Sequence, residues 1–465
     1  MKTACVILAA GQGKRMRSAL PKVLHPLCGE PMLSYPVALA LSRGYDPVVV
    51  VIGKRGDAVR AYLDSRFGAR VHAVVQDPPS GTGHAVLCAR SEIKKHRGKL
   101  VILYGDVPLL TTRELGLLES AGRRSTVAFL TCRLEDPAWY GRVIRDEHGG
   151  VVRIVEHADA SADERAVKEI NAGIYMVDST FAFSTLAGQG KGNAQGEYYL
   201  TDLVATAHRQ GFDVRGVEVQ QVESLLGAND RRELARLEAI MNQRLIERIM
   251  RNGVTVVDPE ATYIGPRVRV GADSVILPGC QIQGVVRIGK GCRIGPGAVI
   301  SNARIGDRVE IRAYSVLEDC RVGAGAMVGP FARLRPGTEL LADVHIGNFV
   351  EVKKSRIGKG SKANHLSYLG DSTIGSGVNV GAGTITCNYD GVNKYQTIIE
   401  DEVFIGSDSQ LVAPVRVKKG AYIGAGTTVT ADVPSLALAI TRAPQRHILG
   451  YAKRKQRQRK KTSAK

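Results

Sequence analysis

The sequence predicts two folds in series: an α/β, Rossmann-like domain, then a linker helix, then a parallel β-helix. Three observations carry this. β-rich and helical stretches alternate up to about residue 229; one amphipathic segment follows; and from Tyr263 aliphatic residues recur every six positions.

Val6–Ala10, Val48–Ile52, Val71–Val75, Leu100–Leu103 and Thr126–Leu130 are short β-rich runs, with helical stretches such as Tyr35–Ser42 and His84–His96 between them. Such alternation predicts a mostly parallel sheet covered by helices, with ligands at the carboxyl ends of the strands. In Asp230–Arg251, Leu234, Leu237, Met241 and Leu245 recur at helical spacing among Arg and Glu. Asn229-Asp230 supplies an N-cap and Asn252-Gly253 a stop, which predicts a single linker helix.

The six-residue series runs Ile264, Val270, Ile276, Ile282, Ile288, Ile294, Ile300, then with slips through Ile305, Ile311, Leu317, Val322, Val328 and Leu334. It continues from Ile346 to Val429. A small residue often stands four positions later, as at Ser274, Cys280, Cys292, Ala298, Ser315 and Thr384. This is the pattern of a coil in which each hexapeptide makes one short strand and one corner. The aliphatic residue points inward, and the narrow interior has little room for rings; aromatics are only 5% of the chain. The series resembles the hexapeptide-repeat family, whose coils are left-handed, an exception to the usual crossover rule. The period breaks at Cys387–Lys394, and a loop ejected from a repeat is expected to have a use. The expected domains are 1–229, the linker helix 230–252, the β-helix 253–450 and a basic disordered tail 451–465.

The formal net charge is +19 over 465 residues. Part of it lies in the tail Lys453–Lys461, read as a solvated end, and neither nucleic acid nor a membrane span is expected. The remainder suits polyanionic small substrates. Eight scattered cysteines form no CxxC, so no metal knot or disulfide framework is visible, and a reducing, cytoplasmic setting follows. The apolar run Ala4–Ala10 is too short for a signal peptide and reads as a buried first strand.

The first strand runs into Leu8-Ala9-Ala10-Gly11-Gln12-Gly13-Lys14-Arg15-Met16, then Leu20-Pro21-Lys22. Glycines at a strand-to-helix turn let backbone N–H groups approach a phosphate chain, and Arg15 and Lys22 add charge. The string resembles the signature of sugar-1-phosphate nucleotidyltransferases. Downstream segments agree with it. Gln76 and Gly81-Thr82-Gly83-His84-Ala85 resemble the part that reads a uracil edge. Tyr104-Gly105-Asp106 follows a hydrophobic strand and puts a carboxylate where Mg²⁺ could be held against phosphates. Gly141, Glu156, Asn171 and Thr201 resemble contacts to sugar hydroxyls and an N-acetyl group, and Asn229 a second magnesium ligand. The resemblance implies in-line attack of a sugar 1-phosphate oxygen on the α-phosphorus of UTP, with positioning and charge neutralisation carrying the rate.

Over nearly its whole length, to about Arg442, the chain resembles the bifunctional N-acetylglucosamine-1-phosphate uridylyltransferase/glucosamine-1-phosphate N-acetyltransferase family. Its most specific stretch is Gly329–Gly337 through Val380–Gly391. The resemblance implies acetylation of glucosamine 1-phosphate by acetyl-CoA, then transfer of UMP to N-acetylglucosamine 1-phosphate, for bacterial envelope synthesis. Arg335, Lys353, Tyr368, Asn379 and Lys394 match the ligands of the amino-sugar phosphate, and His365 the general base, with Glu351 orienting or polarising it. Ala382, Asn388, Tyr389, Ser407, Ala425 and Arg442 match acetyl-CoA contacts. The family's flat outer faces imply a homotrimer, with the Lys394 loop reaching across to a neighbour. Gln12 and Lys14 in the glycine loop, and Pro78-Pro79-Ser80 before Gly81, depart from the family's usual residues. Two other readings stay open: a nucleotidyltransferase whose β-helix only assembles or regulates, and a scaffold that kept both folds.

Overall fold

The computed structural model describes residues 3–11, 13–93, 96–190 and 193–462. Gln12 and the last residues of the tail, 463–465, lie outside the described residues. The chain divides into two compact units that meet in sequence at Leu245 and Ile246.

In the first unit, the central sheet has the order Val214–Glu218, Val127–Arg133, Glu169–Asp178, Lys99–Tyr104, Ala4–Ala9, Val48–Gly53 and His72–Gln76. Ala4–Ala9 is buried throughout, and its side chains alternate between two cores. Cys5, Ile7 and Ala9 face one, and Ala4, Val6 and Leu8 the other. A strand covered on both faces has no need of polar residues, which is why the run is continuously apolar. The five β-rich runs of the sequence are strands, within three residues at each end. Two elements depart from expectation. Glu169–Asp178 is antiparallel to both neighbours, with an irregularity between Asn171 and Tyr175. The helical stretch expected over His84–His96 is broken into Thr82–Cys88 and Arg90–Ile93.

The helix Arg231–Arg251 forms as its periodicity requires. Asp230 Oδ1 accepts from Arg232 N at 2.8 Å and Glu233 N at 2.9 Å, satisfying donors the helix leaves open.

In the second unit, three parallel sheets of 11, 10 and 9 strands form the faces of a coil. Each interior aliphatic stacks on the one a full turn later: Ile264 on Ile282, Ile282 on Ile300, Ile300 on Leu317. Some turns have 18 residues and others 17, and one that contains the ejected loop has 25, which causes the slips in the sequence series. Leu340, Ala363, Thr386 and Ile399 also occupy interior positions, where the periodic reading did not place them. The small residues complete the corners. Ser274 Oγ donates to Gly289 O at 3.0 Å and accepts from Cys292 N at 3.1 Å, and Ser361 Oγ donates to Gly375 O at 2.7 Å. Along one corner Tyr314, Phe331 and Phe349 stack on one another, all at positive φ and all exposed. The first rung is Thr255–Val256, earlier than the periodicity showed, and the last is Leu438–Ala439.

The tail is not the disordered end expected from its charge: Tyr451–Thr462 is a helix. Lys, Arg and Gln are all good helix formers, and no Gly or Pro interrupts the run. All eight cysteines are free thiols. Among the described residues no helix is long and apolar enough to cross a membrane.

Candidate functional sites

In the first unit the site lies at the carboxyl ends of Ala4–Ala9 and Lys99–Tyr104, which are paired in parallel. Leu8 O accepts from Gly105 N at 2.9 Å, so the two strand ends that carry Ala9-Ala10-Gly11 and Asp106 are locked side by side. A Cβ on Gly11 would meet nothing, so the turn is open there, whereas one on Gly13 would come within 2.6 Å of Lys22 Cβ. Gly13, at φ 58°, thus lets the loop pass against Lys22.

Lys22 is the hub. Its ammonium pairs with Asp106 and donates to Asn229 Oδ1 at 3.2 Å. Asn229 is brought in because Ala228 N donates to Asp106 O at 3.2 Å. Three residues far apart in sequence therefore converge, with a cation already seated between the two oxygen donors. Arg15 lies on the turn Lys14–Met16, exposed and outside this cluster. Among the described residues no group of three or more His, Cys, Asp or Glu could hold a metal by itself. Mg²⁺ keeps waters and substrate phosphates, however, and needs only one or two protein oxygens. Asp106 and Asn229, gathered around one positive charge, fit that demand.

A second group gathers deeper in the sheet. Thr201 Oγ1 donates to Glu156 Oε1 at 3.2 Å, a Cβ on Gly141 would lie 3.4 Å from Glu156 Oε2, and Asn171 N donates to Gly141 O at 2.9 Å. Burial pushes the Glu156 carboxyl up, and the Thr201 hydroxyl offsets part of this. Burial, then Glu156, then Asp106 push the Tyr104 phenol up as well, which ties the two groups into one electrostatic neighbourhood. Gly173 N donates to Asn171 Oδ1 at 3.0 Å in the irregular stretch of the antiparallel strand, which fixes that amide.

Gln76 is buried at the end of His72–Gln76 and spends its amide nitrogen on Gly81 O at 2.9 Å and His84 Nδ1 at 3.3 Å. It braces the Pro78–Gly83 turn as much as it faces any ligand. Thr82 Oγ1 accepts from Leu200 N at 3.1 Å, and Gly83 N donates to Tyr198 O at 2.8 Å. Tyr198-Tyr199-Leu200 thus holds the base-side loop in place.

In the second unit, Arg335, Lys353 and Gly370 stand one above the other on successive turns, as do Glu351 and Tyr368. Arg335 Nη1 donates to Glu351 Oε1 at 2.8 Å. This bond, first, holds the guanidinium above its usual range. Lys353 is pushed the other way, by Lys394 first and Arg335 second. Three cations, Lys394 exposed and Arg335 and Lys353 half-buried, therefore crowd one spot, with the Glu351 and Asp371 carboxylates beside them. Lys394 arrives there because its loop folds back on its own coil. Asn388 bonds the Asp371 carboxylate, Asp371 N donates to Lys353 O at 3.0 Å, and Tyr389 bridges Lys394. The anchor residue Asp371 was not singled out in the sequence, although it stands 17 positions before Asn388, one turn of the coil.

His365 is exposed, and its Nδ1 is 2.9 Å from Asn348 Oδ1, one turn below. An amide oxygen accepts, so Nδ1 donates to it, and in the neutral ring this leaves the lone pair on Nε2. Above His365 the same corner carries Ala382, Ser407, Ala425 and Arg442. Asp408 N donates to Ala382 O at 2.7 Å and Gly426 N to Ser407 O at 2.8 Å. Arg442 caps the column through Ala425 O at 3.1 and 3.2 Å. A column of small side chains beneath an arginine is a shallow track leading to the imidazole. Asn379 is paired in register with Lys362 on the adjoining face of the coil. Asn348 was missed in the sequence; its signal is its position 17 residues before His365.

Known proteins agree with this division. The description "MobA-like NTP transferase domain" matches residues 5–168, "GMPPB C-terminal domain" residues 264–357, and "Hexapeptide repeat of succinyl-transferase" residues 396–431. Together with the three parallel sheets, the last assigns the coil to the left-handed β-helices. The chain is 50% identical over 446 residues to the bifunctional protein GlmU of Pelobacter propionicus, covering 95% of this chain and 96% of that one. With the GlmU of Geobacter sulfurreducens it shares 47% over 474 residues, 98% and 99% of the two chains, and with that of Aromatoleum aromaticum 50% over 446 residues, 96% and 97%. The chain therefore belongs to the GlmU family of bifunctional enzymes, with a nucleotidyltransferase and an acetyltransferase in one polypeptide.

Proposed function

We propose that the two sites carry out successive steps of UDP-N-acetylglucosamine synthesis, acetyl transfer on the β-helix and uridylyl transfer on the α/β sheet. The observation that carries the reading is the crowding of Arg335, Lys353 and Lys394, close enough that Lys394 and then Arg335 push Lys353 down despite the Glu351 and Asp371 carboxylates nearby. Such a cluster is electrostatically incomplete until a dianion such as a sugar phosphate enters it.

In the acetyl step, these three cations and Tyr368 fix glucosamine 1-phosphate, with Asn379 at the edge. His365 Nε2 takes the proton from the amine as it attacks the thioester carbonyl, while Asn348 holds the ring in the correct tautomer. Acetyl-CoA lies along the Ala382–Ser407–Ala425 corner, with Arg442, Asn388 and Tyr389 beside it, and leaves as coenzyme A. In the uridylyl step, the Leu8–Gly11 turn and Arg15 receive the triphosphate of UTP, and Gln76, Gly81 and Thr82 the uracil. Tyr104, Gly105, Gly141, Glu156, Asn171 and Thr201 hold N-acetylglucosamine 1-phosphate. Asp106 and Asn229 would hold Mg²⁺, which when bound neutralises phosphate charge. Lys22, displaced from between them, is then free to pair with a phosphate oxygen. The sugar phosphate oxygen displaces pyrophosphate at the α-phosphorus.

The uridylyl activity belongs to residues 1–229 and the acetyl activity to 253–450, separated by the helix. We assign the chain to the cytoplasm and to a homotrimer packed through the β-helix. The deciding experiment is incubation with glucosamine 1-phosphate, acetyl-CoA, UTP and Mg²⁺, followed by mass analysis of the sugar product. UDP-N-acetylglucosamine with stoichiometric coenzyme A and pyrophosphate supports the reading. Uridylyl product formed only from pre-acetylated sugar, with no coenzyme A released, would assign the β-helix to assembly alone.

A further inference from the structure

One face of the β-helix carries a charge pattern that neither reaction uses. On the nine-strand sheet, Arg269 is paired in register with Arg287, Arg287 with Arg304, and Arg304 with Arg321. All four are exposed. Adjacent strands lie about 4.8 Å apart, so the four guanidiniums form a single file about 14 Å long. Like charges directly opposite one another destabilise a sheet. Elsewhere on the coil the equivalent positions are neutralised: Arg293 is beside Glu310, and Arg333 beside Glu351. On this face an acid comes only at the next rung, where Glu339 stands in register beside Arg321 and pairs with Arg356 at 3.5 Å, so the file ends at Arg321 with three like-charged registers behind it. At its foot Arg248, which donates to Pro266 O at 3.2 Å, is pushed below its usual range by burial first and then by Arg269. A groove of about 460 Å³ is lined by Arg287, Arg304 and Arg321, with Gly306 and Gly323 between them and Glu339 at the end of the file.

We propose that this arginine file binds a linear phosphate polymer that carries no bases, such as inorganic polyphosphate. A file one residue wide matches a chain rather than a lipid surface, which calls for cations spread over an area and an apolar wedge. The strands of this face, from Arg269–Val270 to Val415–Val417, contain no aromatic residue. Single-stranded nucleic acids gain much of their affinity by stacking bases on aromatic rings, and this face offers none. Each guanidinium presents paired N–H donors to phosphate oxygens, and a bound polymer removes the repulsion between rungs.

The test uses the full-length protein and a fluorescently labelled linear polyphosphate, with a single-stranded RNA of matched charge and anionic phospholipid vesicles as comparators. Polyphosphate should bind, with log K falling against log salt at a slope of about −3 for four neutralised phosphates. The double variant Arg287→Gln/Arg304→Gln should weaken binding at least about tenfold and flatten the slope by about half. It should also melt at or above the wild-type temperature without ligand, because repulsion is relieved, so lost binding is not lost folding. A second variant, Lys453→Gln/Arg454→Gln in the terminal helix, should bind as the wild type does. Binding that survives the file variant, binding lost only in the tail variant, or tighter binding of RNA or vesicles than of polyphosphate would each overturn the proposal.

Discussion

Gly81→Ala perturbs the base-side loop with little change in size, and its cost can be worked from the structure. Gly81 stands at φ 97° and ψ 174°, a region essentially closed to side chains. Its Cβ would come within 2.5 Å of Tyr198 O and 2.9 Å of Tyr198 N, both backbone atoms held by the Ser80 and Gly83 hydrogen bonds. The conformational strain is about 1–3 kcal/mol. If the turn moves to relieve the clash, the Gln76–Gly81 bond is lost at a further cost of about 0.5–1.5 kcal/mol. The total of about 2–4 kcal/mol has two outlets. If the loop relaxes away, kcat/KM for UTP should fall about 30- to 1000-fold, read by pyrophosphate release. If it holds, the first unit should lose a comparable amount of stability in denaturant unfolding. Acetyl transfer, assayed by coenzyme A thiol release on the same preparation, should be unchanged. Unaltered UTP kinetics together with unaltered unfolding would refute the loop argument.

Asp106→Ala should abolish uridylyl transfer and leave acetyl transfer intact, and His365→Ala should do the reverse with a loss of about 10²–10⁴-fold; loss of both activities from a folded variant would refute separate sites. Lys394→Ala should raise KM for glucosamine 1-phosphate more than it lowers kcat, as steady-state kinetics would show, because it removes a phosphate contact rather than the base. Glu156→Gln should reveal a pH-dependent stability. Burial raises the Glu156 pKa in the folded chain above its ordinary 4.5, so the folded state holds the proton more tightly. Wild-type stability should therefore fall as pH rises from about 4.5 through the folded value. The variant should melt higher than wild type at pH 7.5 and lose that advantage below about pH 4.5 in paired thermal scans.

What could be read from the sequence followed from how rigidly geometry constrains composition. Six-residue periodicity is imposed by the coil itself, so Ile264 to Ile300 were plain in the bare sequence. Ala363 and Thr386 escaped because a small or polar residue inside the coil carries no hydrophobic signal, and Ile399 because the loop breaks the count. Ala4–Ala9, Val48–Gly53 and Lys99–Tyr104 were legible because each has a continuous apolar centre, whereas the parallel edge strand Val214–Glu218, which reads VRGVE, gave no such signal. The antiparallel course of Glu169–Asp178 was not, since direction depends on the path of the connections rather than on local residues. At the sites, Lys22, Asp106 and Asn229 were each visible, but their meeting on one ammonium is a fact of three dimensions. Asn348 and Asp371 were hidden for a simpler reason: each is an ordinary polar residue until the turn length is known, and then a shift of 17 identifies it.

The detour at Cys387–Lys394 has a consequence for how such a coil can change. Each turn leans only on the turn before and the turn after, and Asp371 and Lys353 already wait on the neighbouring rungs. A corner can therefore be lengthened without disturbing the stack, whereas a residue inserted within a rung would throw every later aliphatic out of line. New chemistry on this scaffold is free to grow outward from its edges, while its walls stay fixed.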